Sequence, residues 1–440
     1  MKHDSQDDTS TRIGHVFTKV EMEAIWKDLD EMVTPSWLGS VPKELGQSHG
    51  KLKADQFRVL ATTYLPVSLV RLWGQDEKDD SPRATRRRAL LELTMTLFSA
   101  VSIATARTMS RERAGQYLRH IQSYIDGLKR LFPKYEFLPN HHIALHIYDC
   151  LLRFGPAHSW WTYPYERIIG MLQRIPTSGK SDEMEETMAR GYSRSTNLRA
   201  VFTSPGCPEV IKHTVPFFNK LVNVQTRGTL TTDTLSFQTS DCDIEMWDAE
   251  LQEGDSALER DAAQFDINQL LDIGWITKTP QPLRDSDLQQ ALKIYLGTSD
   301  LEVLEYRPIT NLSINNLNYS TFEKHRGNSS IMISSTFSPI AARIFHIFQI
   351  RDSKNEIHTL LAVRRHMEFR SEDPFQSYPA LQMKLWLPGL MGWLDIVHPN
   401  VVLHHFASLP MTVNLTKVVA IISLSRRVSF LFQLFRIQTN

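Results

Sequence analysis

The spacing of apolar residues changes along the chain, and this change constrains the fold more than any other feature. From about residue 16 to residue 202, apolar side chains recur at the three-and-four spacing of a helix with one buried face. From about residue 329 they form short β-branched and aromatic runs, such as ARIFHIFQI and VVAIISL, separated by Asp, Asn, Gly and Pro. The sequence therefore predicts an α+β fold, with a predominantly helical N-terminal domain and a small β-rich C-terminal domain.

Residues that favour helix starts support the helical prediction. Thr18 and Glu21 have the spacing of a capping box, and Ser81 is followed by a proline. Ser110 precedes a long amphipathic segment. A helical segment over about 53–73 contains Pro66, whose missing N–H is expected to kink or split it. Further helices are predicted to start at Pro139, at Pro164, and at Ser181 or Asp182.

The length of the chain indicates more than one domain. At 440 residues it exceeds the ~250–300 residues at which a single core usually stops growing. We predict a disordered tail over residues 1–15 and a helical domain over 16–203. A polar linker over 204–328, partly disordered and interrupted by one helix at about 284–296, leads to the β-rich domain over 329–440.

The composition and the two ends of the sequence limit the possible partners and predict the cellular compartment. Lys plus Arg equals Asp plus Glu at 49 each, so a nucleic-acid surface would have to be a local patch. The three cysteines favour a reducing compartment over a disulfide framework. The N-terminus lacks the pattern of a signal peptide, and the apolar stretch near the end is interrupted by Arg426 and Arg427. We expect a nuclear or cytoplasmic protein that is neither secreted nor membrane-bound.

Two short motifs carry weak chemical signals. The tetrapeptide SGKS at residues 178–181 lacks the upstream glycine of a phosphate-binding loop, and no GxGxxG motif occurs, so no nucleotide cofactor is expected. His142 and His146 have the i,i+4 spacing that lets two imidazoles share a metal ion. Because no third ligand is evident, capping and core packing explain these histidines better.

A run of arginines is the clearest candidate for a contact with nucleic acid. Arg83, Arg86, Arg87 and Arg88 open a helix directly after an acidic loop. Such a run is usually a solvated face paired with nearby acids, but it also suits contacts with a phosphate backbone. Arg86, Arg87 and Arg88 are therefore candidate DNA-binding residues.

Glu166 is the candidate for metal chemistry. In the stretch WWTYPYERIIGMLQR this carboxylate follows an aromatic cluster and opens an apolar helix. Behind Pro164 it suits a first-turn position, where an acid interacts favourably with the helix dipole. The alternative is a ligand for Mg²⁺ or Mn²⁺, although metal-dependent phosphoryl transfer needs several converging carboxylates.

Three segments stand out together, at residues 48–73, 138–202 and 373–387, and the most specific block among them is FGPAHSWWTYPYERIIGMLQ. They resemble the C-terminal half of the large transposases of CACTA-type and related DNA elements of mushroom-forming fungi. The resemblance implies an RNase H-like nuclease core in which two Asp and one Glu hold divalent metal. It makes Glu166 the third carboxylate, with Mg²⁺ or Mn²⁺ as cofactor, and Arg167 a phosphate contact.

The sequence also departs from this family. In full-length members the first two Asp lie well upstream of the block at residues 48–73, and no corresponding motif precedes that block here. We therefore expect a transposase fragment that is truncated before the catalytic Asp residues and does not cleave DNA strands on its own. DNA, a full-length transposase or a second copy are the expected partners. The alternatives are a non-catalytic DNA- or protein-binding scaffold module, and a complete metal site built from Asp55, Asp149 and Glu166.

Overall fold

The chain divides into two structural units. A computed structural model describes residues 16–43, 45–46, 52, 54–74, 80–162, 165–166, 169, 172–173, 175, 183–203, 207–214, 282–297, 305–314, 317–336, 338–351, 356–413 and 415–424. The first unit contains residues 1–156 and 267–440, and the second contains residues 157–266. Residues 1–15, the predicted tail, lie outside the described part of the chain.

The helices begin where the sequence places their caps. The Thr18 side chain accepts the N–H of Glu21 while Glu21 bonds back, and Ser81 and Ser110 each accept an N–H of their helix. The first unit contains α1 (Lys19–Glu31), α2 (Ala54–Val59), α3 (Leu65–Trp73), α4 (Pro82–Ala104), α5 (Arg111–Leu131), α6 (Pro139–Phe154) and α9 (Ser286–Leu296). The second contains α7 (Met184–Thr203) and α8 (Glu209–Lys212). No helix in the described ranges is long and apolar enough to cross a membrane.

Pro66 changes the type of helix instead of breaking it. A π-helical turn over Leu60–Tyr64 joins α2 to α3, and Pro66 lies in the first turn of α3. A wider turn relieves the missing N–H and the clash of the proline ring, which is why π-turns accompany such positions. Of the expected kink or split, the split does not occur, because helical turns continue from residue 54 to residue 73, with a change of helix type just before Pro66.

An antiparallel sheet forms the rest of the first unit. Its strands are β1 (Glu305–Ile309), β4 (Ser330–Ile333), β5 (Ile340–Arg351), β6 (Ile357–Glu368), β7 (Met383–Leu390), β8 (Asp395–Val397), β9 (Val402–Val413) and β10 (Thr416–Ser423). Their order is β1-β5-β4-β9-β10-β7-β6-β8, and β5 also pairs with β6. The pairings therefore close a ring of six strands, β5-β4-β9-β10-β7-β6. A separate hairpin consists of β2 (Asn311–Ile314) and β3 (Leu317–Ser320).

These observations confirm the α+β class and correct the linker prediction. The helix expected at about 284–296 is present as α9, but β1, β2 and β3 also lie within the stretch predicted to be a polar linker. The hairpin strands are half buried in an alternating pattern, and Leu312, Ile314, Leu317 and Tyr319 pack against the sheet. Four-residue strands rich in Ser and Asn carry too few apolar residues to stand out in the sequence.

The main core joins the helices to the sheet. Ile25 of α1, Val67 of α3 and Met95 of α4 belong to one buried cluster with Leu385 of β7 and Ala420 of β10. Helices of the region 16–156 and strands of the region 329–424 therefore share a core, which differs from the predicted division at residues 204–328. The covering helices are possible because β7, β9 and β10 present a row of apolar side chains on one face.

Candidate functional site

Glu166 lies on the surface of the second unit. Its backbone N–H bonds to the carbonyl of Thr162, and one carboxylate oxygen accepts the Thr162 hydroxyl at 3.0 Å. The side chain is exposed, as is that of its neighbour Tyr165. Arg167, the predicted phosphate contact, lies outside the described residues. The geometry thus leaves a solvent-facing carboxylate whose described hydrogen bonds are local.

The other two acids of the alternative metal site have partners of their own in the first unit. Asp55 accepts two hydrogen bonds from Arg58, at 2.9 and 2.7 Å. Asp149 lies 3.7 Å from the ring of His146. Within the described ranges, no three His, Cys, Asp or Glu side chains are grouped so that they could hold a metal ion. The Mg²⁺ or Mn²⁺ site implied by the resemblance stays a prediction.

His142 and His146 face each other on α6, as their spacing predicts. Their Nε2 atoms are 3.1 Å apart and both side chains are exposed. His141 instead bonds to the backbone of Leu138 at the helix start. The pair is a close contact on a helix surface, while the third histidine contributes to the cap.

The arginines of α4 point in different directions. Arg87 pairs with Glu21, a buried carboxylate that also accepts the Trp73 indole N–H at 2.8 Å. Arg88 lies near Asp80 and Thr85. Arg86 is exposed, with its guanidinium carbon 5.8 Å from the centre of the Phe132 ring. The sequence grouped Arg86 with Arg87, but only Arg86 faces solvent, because a helix turns neighbouring residues to different sides.

The contact of Arg86 with Phe132 brings two basic segments together. The final turn of α5 carries Lys129 and Arg130, and the start of α4 carries Arg83 and Arg86. We call the following exposed residues the α4–α5 basic end: Arg83, Arg86, Lys129, Arg130 and Lys134. Asp126 lies 3.7 Å from Lys129, and Glu136 is also exposed nearby in sequence. The surface therefore has an excess of positive charge from residues far apart in the chain.

Stacked arginine and phenylalanine side chains form a second basic group. We call Phe322, Arg326, Arg343, Phe345 and Arg364 the Arg–Phe cluster. The guanidinium carbons of Arg326 and Arg343 lie 5.5 and 5.3 Å from the centre of the Phe322 ring. The rings of Phe322 and Phe345 stack at 5.6 Å, and Arg364 lies 5.0 Å from Phe345. Cations over aromatic faces are attracted by the ring quadrupole.

The strand register places this cluster on one face. Arg343 of β5 lies opposite Arg364 of β6, and His366 follows two residues later on the same side. The loop carrying Phe322 is fixed to β5, since its N–H donates to the carbonyl of Ile344 at 2.8 Å. Sequence reasoning missed this group, although the basic residues within the apolar runs ARIF and AVRRH are a signal once the two strands are known to pair.

Buried polar side chains lie on the strands of the ring. Burial, and then the charge of Arg343, lower the pKa of His366 to about 4, against a smaller opposing effect of the Leu387 backbone. Burial also lowers the pKa of His404 to about 4, and its Nε2 lies 3.2 Å from the Ser423 hydroxyl. The indole N–H of Trp386 has no hydrogen-bond partner within the described ranges. Both histidines are therefore neutral near pH 7.

The comparisons with known proteins leave these sites to be judged on their own geometry. Neither the protein-family models, nor the curated proteins, nor the solved structures contain a match to this chain.

Proposed function

We propose that this chain is a transposase-derived protein that binds DNA through backbone phosphates at the α4–α5 basic end. Two arguments support the proposal. The sequence blocks at residues 48–73, 138–202 and 373–387 resemble CACTA-type transposases. The observation that carries the binding surface is the contact of Arg86 with Phe132, which joins the exposed start of α4 to the basic last turn of α5. In this proposal, a second copy or a full-length transposase is a further partner.

The chemistry of this surface suits the DNA backbone. Arg and Lys side chains that neutralise phosphates release condensed counterions, so affinity falls linearly with salt on logarithmic axes, with a slope of about −0.9 per contact on duplex DNA. Arg83 and Arg86 lie one turn apart at the exposed start of α4, and neither forms an ion pair within the described ranges. We expect sequence-independent binding, because phosphate contacts position a protein without reading bases.

A salt titration tests this interface. The affinity of the full chain for a fluorescent DNA duplex is measured by anisotropy at several salt concentrations. Arg83→Gln combined with Arg86→Gln should weaken binding about tenfold or more and reduce the salt slope by about two. The matched control is Lys19→Gln combined with Lys27→Gln, which removes the same charge from exposed positions of α1. Equal losses in both double variants would refute the assigned surface.

The second candidate function is the catalytic one that the resemblance implies. In this candidate function, the chain descends from an RNase H-like nuclease, and Glu166 is a retained carboxylate that can bind Mg²⁺ or Mn²⁺. The observation that favours this candidate is that the Glu166 side chain is exposed. Within the described ranges, its carboxylate accepts a hydrogen bond from the Thr162 hydroxyl. The antiparallel ring of strands does not by itself identify an RNase H-like core. The catalytic candidate therefore rests on the sequence resemblance. We propose that this chain is a transposase fragment that does not cleave DNA strands on its own.

Calorimetry with Mn²⁺ separates the two candidates. Saturable binding that Glu166→Gln abolishes, and that Glu185→Gln on the exposed start of α7 leaves unchanged, would support a surviving carboxylate site. DNA cleavage would then be assayed with the same two variants. Absence of Mn²⁺ binding in the wild-type chain would reject the catalytic candidate and leave the DNA-binding proposal intact.

A further inference from the structure

Two arginines of the Arg–Phe cluster lie together without a compensating acid. Within the described ranges, neither Arg326 nor Arg343 forms an ion pair, and the Nε of Arg343 is buried without a hydrogen-bond partner. Burial, followed by the nearby charge of Arg326, lowers the pKa of Arg343. Arg364 differs, since it pairs with Asp287 at 2.8 Å. Two neighbouring cations that lack an acid are stabilised by an anion.

The acids around the cluster serve other groups. Asp287 contacts Arg364, and Asp285 lies 3.3 Å from the His346 ring while it caps α9. Glu323 is exposed, and its charge acts on His346. The positive charge next to Phe322 is therefore left for a ligand to balance.

The loop that carries Phe322 and Arg326 is held firmly on several sides. The Ser36 N–H donates to the side chain of Asn328 at 2.8 Å, and the Asn328 amide donates back to the Ser36 hydroxyl at 3.0 Å. Gly327 packs so closely on the Thr34 carbonyl that an added Cβ would lie 1.8 Å from its oxygen. Such fixing preorganises the guanidinium groups, which reduces the entropy lost on binding.

A buried histidine lies beside the cluster. His366 is only 2% exposed, and the backbone of Leu387 lies within hydrogen-bonding reach of its ring. It lies on the face of β6 that carries Arg364, and close enough to Arg343 to feel its charge. Because burial keeps this imidazole neutral near pH 7, the positive charge of the cluster comes from its arginines.

We propose that Arg326 and Arg343, beside the Phe322 ring, form a binding site for a phosphate group. The guanidinium forks match phosphate oxygens, and the Phe322 ring orients them. The shared chemistry is that of a phosphate, whether it comes from free phosphate, a nucleotide or a nucleic-acid strand. The site is separate from the α4–α5 basic end and is independent of the DNA-binding proposal.

Calorimetry with inorganic phosphate at constant ionic strength tests the site in the full chain. Saturable binding is expected, with a Kd on the order of 1 mM or tighter. Arg326→Gln should weaken it about tenfold or more, because a charge-assisted hydrogen bond is lost at an exposed position. The matched control is Lys324→Gln, which removes the same charge from the same loop and should change the Kd less than about twofold. Arg343→Gln, with folding checked by circular dichroism, provides a second variant.

Two further ligands identify the source of the phosphate. Deoxyadenosine 5′-monophosphate is compared with deoxyadenosine, and a single-stranded oligonucleotide is titrated with the same variants. Tighter binding of the oligonucleotide that Arg326→Gln removes supports the site and assigns it to nucleic acid. Equal affinities for phosphate and nucleotide support it and assign it to a small phosphate compound. Absence of phosphate binding, or an equal loss in Lys324→Gln, overturns the proposal, whereas the Arg83 and Arg86 variants test the other surface alone.

Discussion

Replacing Arg87 with Gln should destabilise the fold, although Arg87 belongs to a run that the sequence assigns to DNA. Its guanidinium pairs with Glu21, and the two side chains are 26% and 8% exposed. Glu21 also accepts hydrogen bonds from the Trp73 indole and from Thr18, at 2.8 Å each. Burial alone would raise the pKa of Glu21, but these hydrogen bonds and the charge of Arg87 lower it. The pair therefore ties α1 to α3 and α4.

The size of the effect follows from these contacts. Removing one partner of a fully buried ion pair costs roughly 3–5 kcal/mol, and the remaining bonds to Glu21 and the partial exposure of Arg87 reduce this to about 1.5–3 kcal/mol. A carboxyl group with a lowered folded-state pKa stabilises the fold above its ordinary value of 4.5, and the contribution is lost as pH falls through the folded-state value. The difference between wild type and variant should therefore narrow at acidic pH.

Urea unfolding followed by tryptophan fluorescence measures this difference. Urea is uncharged, so it does not screen the ion pair as guanidinium would. The matched control is Arg86→Gln, one residue away, which should change the unfolding free energy by less than about 0.5 kcal/mol while weakening DNA binding. Equal destabilisation by the two substitutions, or none by Arg87→Gln, would refute the assignment of Arg87 to the core and Arg86 to the surface.

Two further predictions concern the sheet and the loop beside it. Gly327→Ala should cost about 2–4 kcal/mol in urea unfolding because its Cβ would overlap the Thr34 carbonyl, whereas Gly392→Ala, with open space around it, should be nearly neutral. Because the pKa of His366 is lowered to about 4 from 6.5, the unfolded state binds more protons between those values, and stability falls as pH decreases. Between pH 7 and pH 5 this amounts to about 2 kcal/mol, which urea midpoints of wild type and His366→Gln should show as a shallower pH dependence in the variant.

The sequence predicts local features of this fold better than distant pairings. The caps at Thr18, Ser81 and Ser110 require only residues a few positions apart, and the structure has all three. Strand β9 was missed because His404 and Ser408 interrupt its apolar pattern while both are buried. Closure of the six-strand ring depends on the pairing of β5 with both β4 and β6, which no local pattern reveals.

The candidate sites could also be predicted only where they depend on residues close together in the sequence. Arg343 and Arg364 meet only because of a particular register, which shifts at a bulge between Ile344 and His346. A displacement by one residue would turn the two side chains to opposite faces of the sheet. Glu166 could be singled out from the sequence because it lies in one contiguous block of the resemblance. Metal binding by Glu166 would depend on further carboxylates, which that block does not contain.

A fragment ending at residue 204 should not fold, although the sequence predicts a separate helical domain there. Ile25, Leu29, Val67 and Val70 are buried in the core that α1 and α3 share with the sheet. Exposing each such side chain costs about 1.5–3 kcal/mol, so these four alone approach the total stability of roughly 5–15 kcal/mol of a typical domain. We expect the fragment to lack the cooperative urea transition of the full chain and to aggregate in size-exclusion chromatography. A monodisperse fragment that unfolds cooperatively would show that the helices have a core of their own, and would restore the predicted boundary.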